Sequence, residues 1–224
     1  MRRSVPVVLL AAVLPLVGCA GNDERTATST ASGSSSSTAE TSPPTRPPST
    51  SVPAPTTPRP RSASFDQALH DELLAMLDRD QAGRAGGADP EGDQARTDRL
   101  AEILSQHGWP TYELVGEDGE DAAWAIAQHS DLDPAFQARA LELLRVAVDA
   151  GQGSPGNLAY LEDRVAVGAG QPQRYGTQVG CGPDGPEPAT PLVDEDTVEE
   201  LRAAAGLDPL DAYLDEMAAI CAAD

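Results

Sequence analysis

Asp80 and Arg84 stand four residues apart in QALHDELLAMLDRDQAGR, where Leu69, Leu73 and Met76 recur at helical spacing. At about 100° per residue both charged side chains fall in the middle of that apolar stripe. Charges on a core face must be paired, and an i, i+4 Asp–Arg couple can do it. Three readings stay open: the helix frays near Gly83 and leaves Arg84 in a loop, the two form a structural ion pair, or they serve a ligand or a reaction. Gln81 lies between them. Gln128 and His129 close a second apolar stretch, EDAAWAIAQHS. A histidine there can be a base, a ligand, or a cation compensating the helix C-terminus. With His129 as general base, Asp80 or Asp163 would orient the ring. Arg164 and Tyr175 would then hold an anionic or carbonyl substrate, which amounts to hydrolase-like chemistry.

Two further stretches are dense in polar groups. In NLAYLEDRV, Leu158, Leu161 and Val165 share one helical face, while Tyr160, Asp163 and Arg164 share another. That second face is either a pocket wall or plain solvated surface. In QRYGTQ, Gln173, Tyr175, Thr177 and Gln178 surround Gly176, which suits a pocket rim or an ordinary turn. Familiar catalytic signatures are missing, with no HExxH, GxSxG, Walker loop or GxGxxG. Asp78, Asp80 and Asp89 imitate part of a calcium loop, but Ala82 occupies its fifth position and the closing Glu is lacking. Three scattered His and no cysteine pair at ligand spacing argue against zinc. No metal and no cofactor is expected.

The elements that must place these residues are helical. Ser64-Phe65-Asp66-Gln67 resembles a capping box, with Phe65, Leu69, Leu73, Met76 and Leu77 on one face behind it. A second helix is expected over 93–107, stopped by Gly108-Trp109-Pro110. TYELV, residues 111–115, reads as a short strand, and the stretch 120–129, apolar all round, as a central buried helix. Asp133-Pro134 opens a fourth helix and Ser154-Pro155 a fifth. RYGTQV reads as a second extended piece; VDEDTVEELRAAAGL gives a sixth helix. Asp208-Pro209 starts the last, with Leu210, Leu214, Met217 and Cys221 facing inward. The expectation is a mainly α domain, a compact bundle of about seven helices with at most a small two-stranded β element.

The rest of the chain supplies an address. Arg2 and Arg3 precede an apolar run, VPVVLLAAVLPLV, too short to span a bilayer and broken by Pro6 and Pro15. It leads into Leu16-Val17-Gly18-Cys19, which resembles the lipobox of bacterial lipoproteins. That resemblance implies cleavage before Cys19, acylation of its sulfur and often of the new amine, and a membrane-anchored domain on the extracytoplasmic side. Several acyl chains on one residue anchor stably where one would be marginal. The domain boundaries expected are therefore 1–18 for the signal peptide, 19–63 for the lipidated cysteine and a Ser/Thr/Pro-rich disordered tether, and 64–224 for the helical domain. The tether cannot bury enough apolar surface to fold, and fully extended it would reach on the order of 130 Å.

With Cys19 acylated, Cys181 and Cys221 remain as an even pair in an oxidising compartment, where a disulfide is expected. A formal charge of −21, with all 15 basic residues arginine, argues against nucleic acid and against direct contact of the domain with anionic lipid.

DQAGR, GWP, QHSD, NLAYLEDRV and QRYGTQ together resemble the signature blocks of an uncharacterised bacterial domain family, matched from about Leu69 to Tyr213. The family has no assigned activity and so implies no catalytic residues. The partner expected is the bilayer, through Cys19, and the domain leans towards binding an unidentified small molecule or protein, with the hydrolase as its rival.

Overall fold

The computed structural model describes residues 64–183 and 185–222; the expected leader, the lipobox with Cys19, and the tether lie outside them. In chain order the described elements are α1 (Gln67–Arg84), α2 (Gly92–His107), α3 (Tyr112–Gln128), α4 (Pro134–Asp149) and α5 (Pro155–Gly168). Strands β1 (Val179–Gly182) and β2 (Gly185–Pro188) follow, then α6 (Val198–Ala204) and α7 (Leu210–Cys221). The domain is mainly α, with seven helices and a single two-stranded antiparallel element among the described residues.

α3 is the axis on which α1, α2, α4 and α5 all pack. Every residue from Ala122 to Gln128 is buried, as an all-apolar helix requires. α1 presents Leu69, Leu73 and Met76 to it, α2 presents Leu100, Ile103 and Leu104, and α4 presents Phe136, Ala140 and Leu144. The predicted Asp-Pro and Ser-Pro starts behave as expected: Asp133 Oδ1 accepts from Phe136 N at 2.9 Å, and Ser154 Oγ from Asn157 N at 3.2 Å. Cys181 and Cys221 are joined in a disulfide that ties β1 to the end of α7.

Five local expectations need correction. The cap of α1 is Asp66, whose carboxylate accepts from Leu69 N at 3.1 Å, and not Ser64. Phe65 is half exposed and leans on the His70 ring instead of joining the core. TYELV is not a strand but a first helical turn: Leu114 N and Val115 N both donate to Thr111 O. Gly116, at φ 79°, then redirects the chain into the long part of α3, a conformation that costs a residue with a Cβ dearly.

Of RYGTQV only Val179 is in a strand, the first residue of β1; Asp163 gathers the backbone N–H groups of Arg174, Tyr175 and Thr177 before it, and Gln173 bridges to Leu192. In α7 only Leu210 is fully buried, while Leu214, Met217 and Cys221 are half-buried.

Candidate functional site

α1 does not fray at Gly83, so Asp80 and Arg84 remain on one helical face. Asp80 is wholly buried, and Arg84 Nη2 reaches its Oδ1 at 3.0 Å. Gln81 Nε2 donates to Asp80 Oδ2 at 2.9 Å, and His129 Nδ1, from the end of α3, lies 2.9 Å from the same oxygen. Arg84 Nε also lies 3.0 Å from Nδ1. The guanidinium can donate instead to the Asp80 oxygens at 3.2 Å, whereas a carboxylate only accepts. In a neutral ring the proton therefore belongs on Nδ1; Nε2 has no hydrogen-bond partner among the described residues. Burial alone would raise the Asp80 pKa, but hydrogen bonding and charge from His129 and Arg84 outweigh it and hold it below the ordinary value.

His129 lines a cavity of about 340 Å³. α1 contributes Leu77 and Gln81 to its wall; α3 contributes Asp121, Trp124, Ala125 and Gln128 beside the histidine. Ser154, Asn157 and Tyr160 line it from the start of α5, and Ala205 to Leu207 close it from the turn after α6. Trp124 and Tyr160 meet edge to face at 5.9 Å between ring centres. Two buried atoms of the wall residues have no hydrogen-bond partner, the Trp124 indole N–H and Gln128 Oε1. No Arg or Lys is among the lining residues.

A buried carboxylate supports the same wall from behind. Glu120 accepts from Trp109 Nε1 at 3.0 Å and from Asn157 Nδ2 at 3.0 Å, and the Asn157 amide also serves Asp121 at 2.7 Å. Burial pushes Glu120 up to about 7 and raises Asp121 as well.

The remaining candidates build the frame. Asp163 is fully buried, but its carboxylate accepts from the backbone N–H of Arg174, Tyr175 and Thr177 and from Thr177 Oγ1, at 2.8–3.3 Å. It orders the QRYGTQ loop and is not the partner of His129. Gln173 completes that loop, donating to Gln178 O and accepting from Gln178 N. Gly176, at φ 66°, allows the turn, and a Cβ there would press on Leu210 at 3.0 Å. Arg164 forks onto Asp131 and donates to Gln178 Oε1 at 3.2 Å, so it is committed to structure and not to a substrate. Tyr175 lies under the Arg174 guanidinium and does not line the cavity. The second face of α5 is thus covered by Asp131, the QRYGTQ loop and Tyr213 of α7 instead of being solvated.

Of the aspartates that imitate part of a calcium loop, Asp80 is taken up by Arg84 and His129 and Asp89 by Arg96. Among the described residues no group of His, Cys, Asp and Glu could hold a metal ion.

Asp80, Arg84, Gln128 and His129 were legible as polar residues interrupting apolar stripes. Asp121, Asn157 and Ser154 were not, although the acidic pair that opens EDAAWAIA was an available signal. Arg202 also went unseen. It is 1% exposed and donates to Asp208 O and Tyr175 O, fastening the α6–α7 turn to the QRYGTQ loop and so holding one cavity wall.

The five polar stretches read from the sequence are linked around the cavity: DQAGR to QHSD through Asp80–His129, and QHSD to NLAYLEDRV through Asp131–Arg164. GWP joins through Trp109–Glu120–Asn157, and QRYGTQ through Asp163. No curated protein and no solved structure matches the chain. The profile of a family of unknown function, DUF6624, matches residues 67–220, and the chain belongs to that family.

Proposed function

We propose that this chain is a lipoprotein held at the extracytoplasmic face of the cell membrane by acylated Cys19, and that its helical domain binds a small molecule in the cavity between α1, α3 and α5. The cavity carries the binding half of this reading. Its volume lies within the range of small-ligand sites, its surfaces are largely apolar and aromatic, and a few polar groups converge on it. The leader and lipobox carry the anchoring half, and the Cys181–Cys221 disulfide supports an oxidising compartment.

Anchoring is tested by metabolic labelling with an alkyne fatty acid. The wild-type chain should take the label and partition with membranes, and Cys19→Ser should do neither; an unlabelled wild-type chain refutes the anchor. Binding is tested by screening uncharged fragments by NMR against the wild-type protein and an Ala125→Leu variant, which fills the cavity. Hits that perturb Ala125, Gly156 and Tyr160 and vanish in the variant are expected. A screen whose hits ignore the substitution refutes the site.

One observation favours a second reading. His129 lines the cavity with its Nδ1 on Asp80, and a neutral ring held that way would offer Nε2 as a base to activate water in hydrolysis. This reading requires turnover of an ester or amide that His129→Gln abolishes while fragment binding persists. Turnover that survives the substitution excludes it.

A further inference from the structure

α3 and its C-cap give the cavity one stripe of side chains: Asp121, then Trp124 and Ala125 a turn later, then Gln128 and His129 after one turn more. The two ends of this stripe differ in charge. Asp121 is half-buried, and its Oδ1 accepts from Asn157 Nδ2 at 2.7 Å. Among the described residues no basic side chain pairs with it, and the cavity has no Arg or Lys in its wall. Burial raises the Asp121 pKa, and the charges that act on it, Asp118 and Glu117, are negative and raise it further.

Two acceptors at that end lack donors. Asn157 Nδ2 donates to Glu120 at 3.0 Å and to Asp121 at 2.7 Å, which leaves its Oδ1 without a partner among the described residues. Asp121 Oδ2 has none either, and neither oxygen is sealed from solvent as the Trp124 indole N–H and Gln128 Oε1 are. Both residues line the cavity. Acceptors of this kind call for N–H groups, and the carboxylate calls for a positive charge and repels an anion. Tyr160, half-buried in the α5 wall, adds aromatic surface, which also favours a cation. His129, the lining side chain that can itself become a cation, lies eight residues on, about 12 Å along the helix axis. The Asp121 end is therefore left to the charge of a ligand.

Resting on the small-molecule reading above, we propose that the ligand is a protonated organic amine. Its ammonium group pairs with Asp121 and donates a second hydrogen bond to Asn157 Oδ1, while its apolar body runs along Trp124 and Ala125 towards His129. The chain's formal charge of −21 draws such a cation towards the domain.

The test follows the Asn157 side-chain amide and the Ala125 backbone N–H of the ¹⁵N-labelled full-length protein during titration with n-butylammonium, 1-butanol and butyrate, which are similar in length and differ in charge. Butylammonium should move both signals at concentrations about tenfold below those butanol needs, and butyrate should move neither. Gln94, whose side-chain amide donates to exposed Asp98 at 2.9 Å on α2, reports diffuse attraction to the acidic surface and should stay in place. Asp121→Asn should weaken butylammonium binding about tenfold or more while the circular dichroism spectrum is retained; the wild-type series decides by itself if that variant fails to fold. Butanol or butyrate binding as tightly, no response to butylammonium, a Gln94 signal that moves in step with Asn157, or a folded Asp121→Asn variant that binds unchanged overturns the inference. The fragment screen with Ala125→Leu uses uncharged probes, so the cavity can stand while its charge preference falls, and the two failures are distinguishable.

Discussion

Asp80 keeps its charge with no exposure to water because Arg84, Gln81 and His129 converge on it, with Arg96 Nε a further 3.7 Å away. Removing the charge while keeping the shape separates its two roles. Asp80→Asn leaves a buried guanidinium cluster short of one anion and should destabilise the domain by about 3 kcal/mol in chemical denaturation. Asp89 and Asp93 still serve Arg96 and Arg84, so the fold should survive. The same substitution removes the anion that keeps the proton on His129 Nδ1. The neutral ring in the wild-type protein should show the Nδ1–H tautomer in long-range ¹⁵N correlation spectra, and Asp80→Asn should shift the population towards Nε2–H. A wild-type ring already in the Nε2–H form would mean that Arg84, donating to Nδ1, sets the ring in place of Asp80, and Nε2 could not then act as an acceptor. Asp163→Asn is the contrasting case. It should spare the tautomer and speed hydrogen exchange at the Thr177 N–H, because that carboxylate orders a loop.

At the scale of elements, α7 is attached to the bundle only lightly. Only Leu210 is fully buried, and the helix rests on the hairpin, to which the Cys181–Cys221 bridge ties its far end. The bridge closes a loop of 40 residues, worth about 4 kcal/mol on the chain-entropy estimate. Reduction, or a paired substitution by serine, should therefore release α7 before the α1–α5 bundle. Limited proteolysis should cut first after α6 while the helical signal largely persists; cleavage starting within α1–α5 would show that the bridge supports the whole domain. These differences also explain what the sequence could tell. α1, α3, α4 and α5 were legible because their stripes are long and their ends carry Asp, Ser, Pro and Gly. TYELV was not, because a five-residue apolar piece fits a strand or one helical turn equally well, and Gly116 decided it through a backbone angle. Nor was RYGTQV, whose shape is imposed by Asp163 from another helix. The same limit applies to the site. The polar interruptions of long stripes announced Asp80 and His129, whereas Asn157, Asp121 and Arg202 gained their places only when separate elements met. In the seven residues of α6 no periodicity can mark Arg202 as inward.

The whole molecule carries a formal charge of −21, and its pH response combines that field with two buried carboxyls of opposite sign. Glu120 is raised by burial from 4.5 to about 7, so the folded state holds its proton more tightly than the unfolded chain. Its contribution is complete below about pH 4.5 and is lost as the pH rises through about 7, a change on the order of 3 kcal/mol. His70, raised first by its hydrogen bond to Asp71, acts in the same direction but near the surface. Asp80 is lowered, so what it contributes is present above the unfolded value of 3.8 and is lost only as the pH falls through its depressed one. Neutralising part of the acidic surface relieves self-repulsion, which again favours moderately acid conditions. The melting temperature should accordingly climb as the pH falls from about 8 to about 5 and drop again in stronger acid, giving an optimum well below neutrality. Salt separates the causes. At about 1 M, where the Debye length is near 3 Å, the surface contribution should vanish and the part owed to buried Glu120 should remain. Glu120→Gln should flatten that salt-resistant slope and leave the acid limb, to which the lowered Asp80 and Asp89 both contribute, in place. A wild-type slope between about pH 5 and 8 that disappears entirely in salt would mean that Glu120 ionises freely, and that the Trp109–Glu120–Asn157 support behind the cavity is open to water.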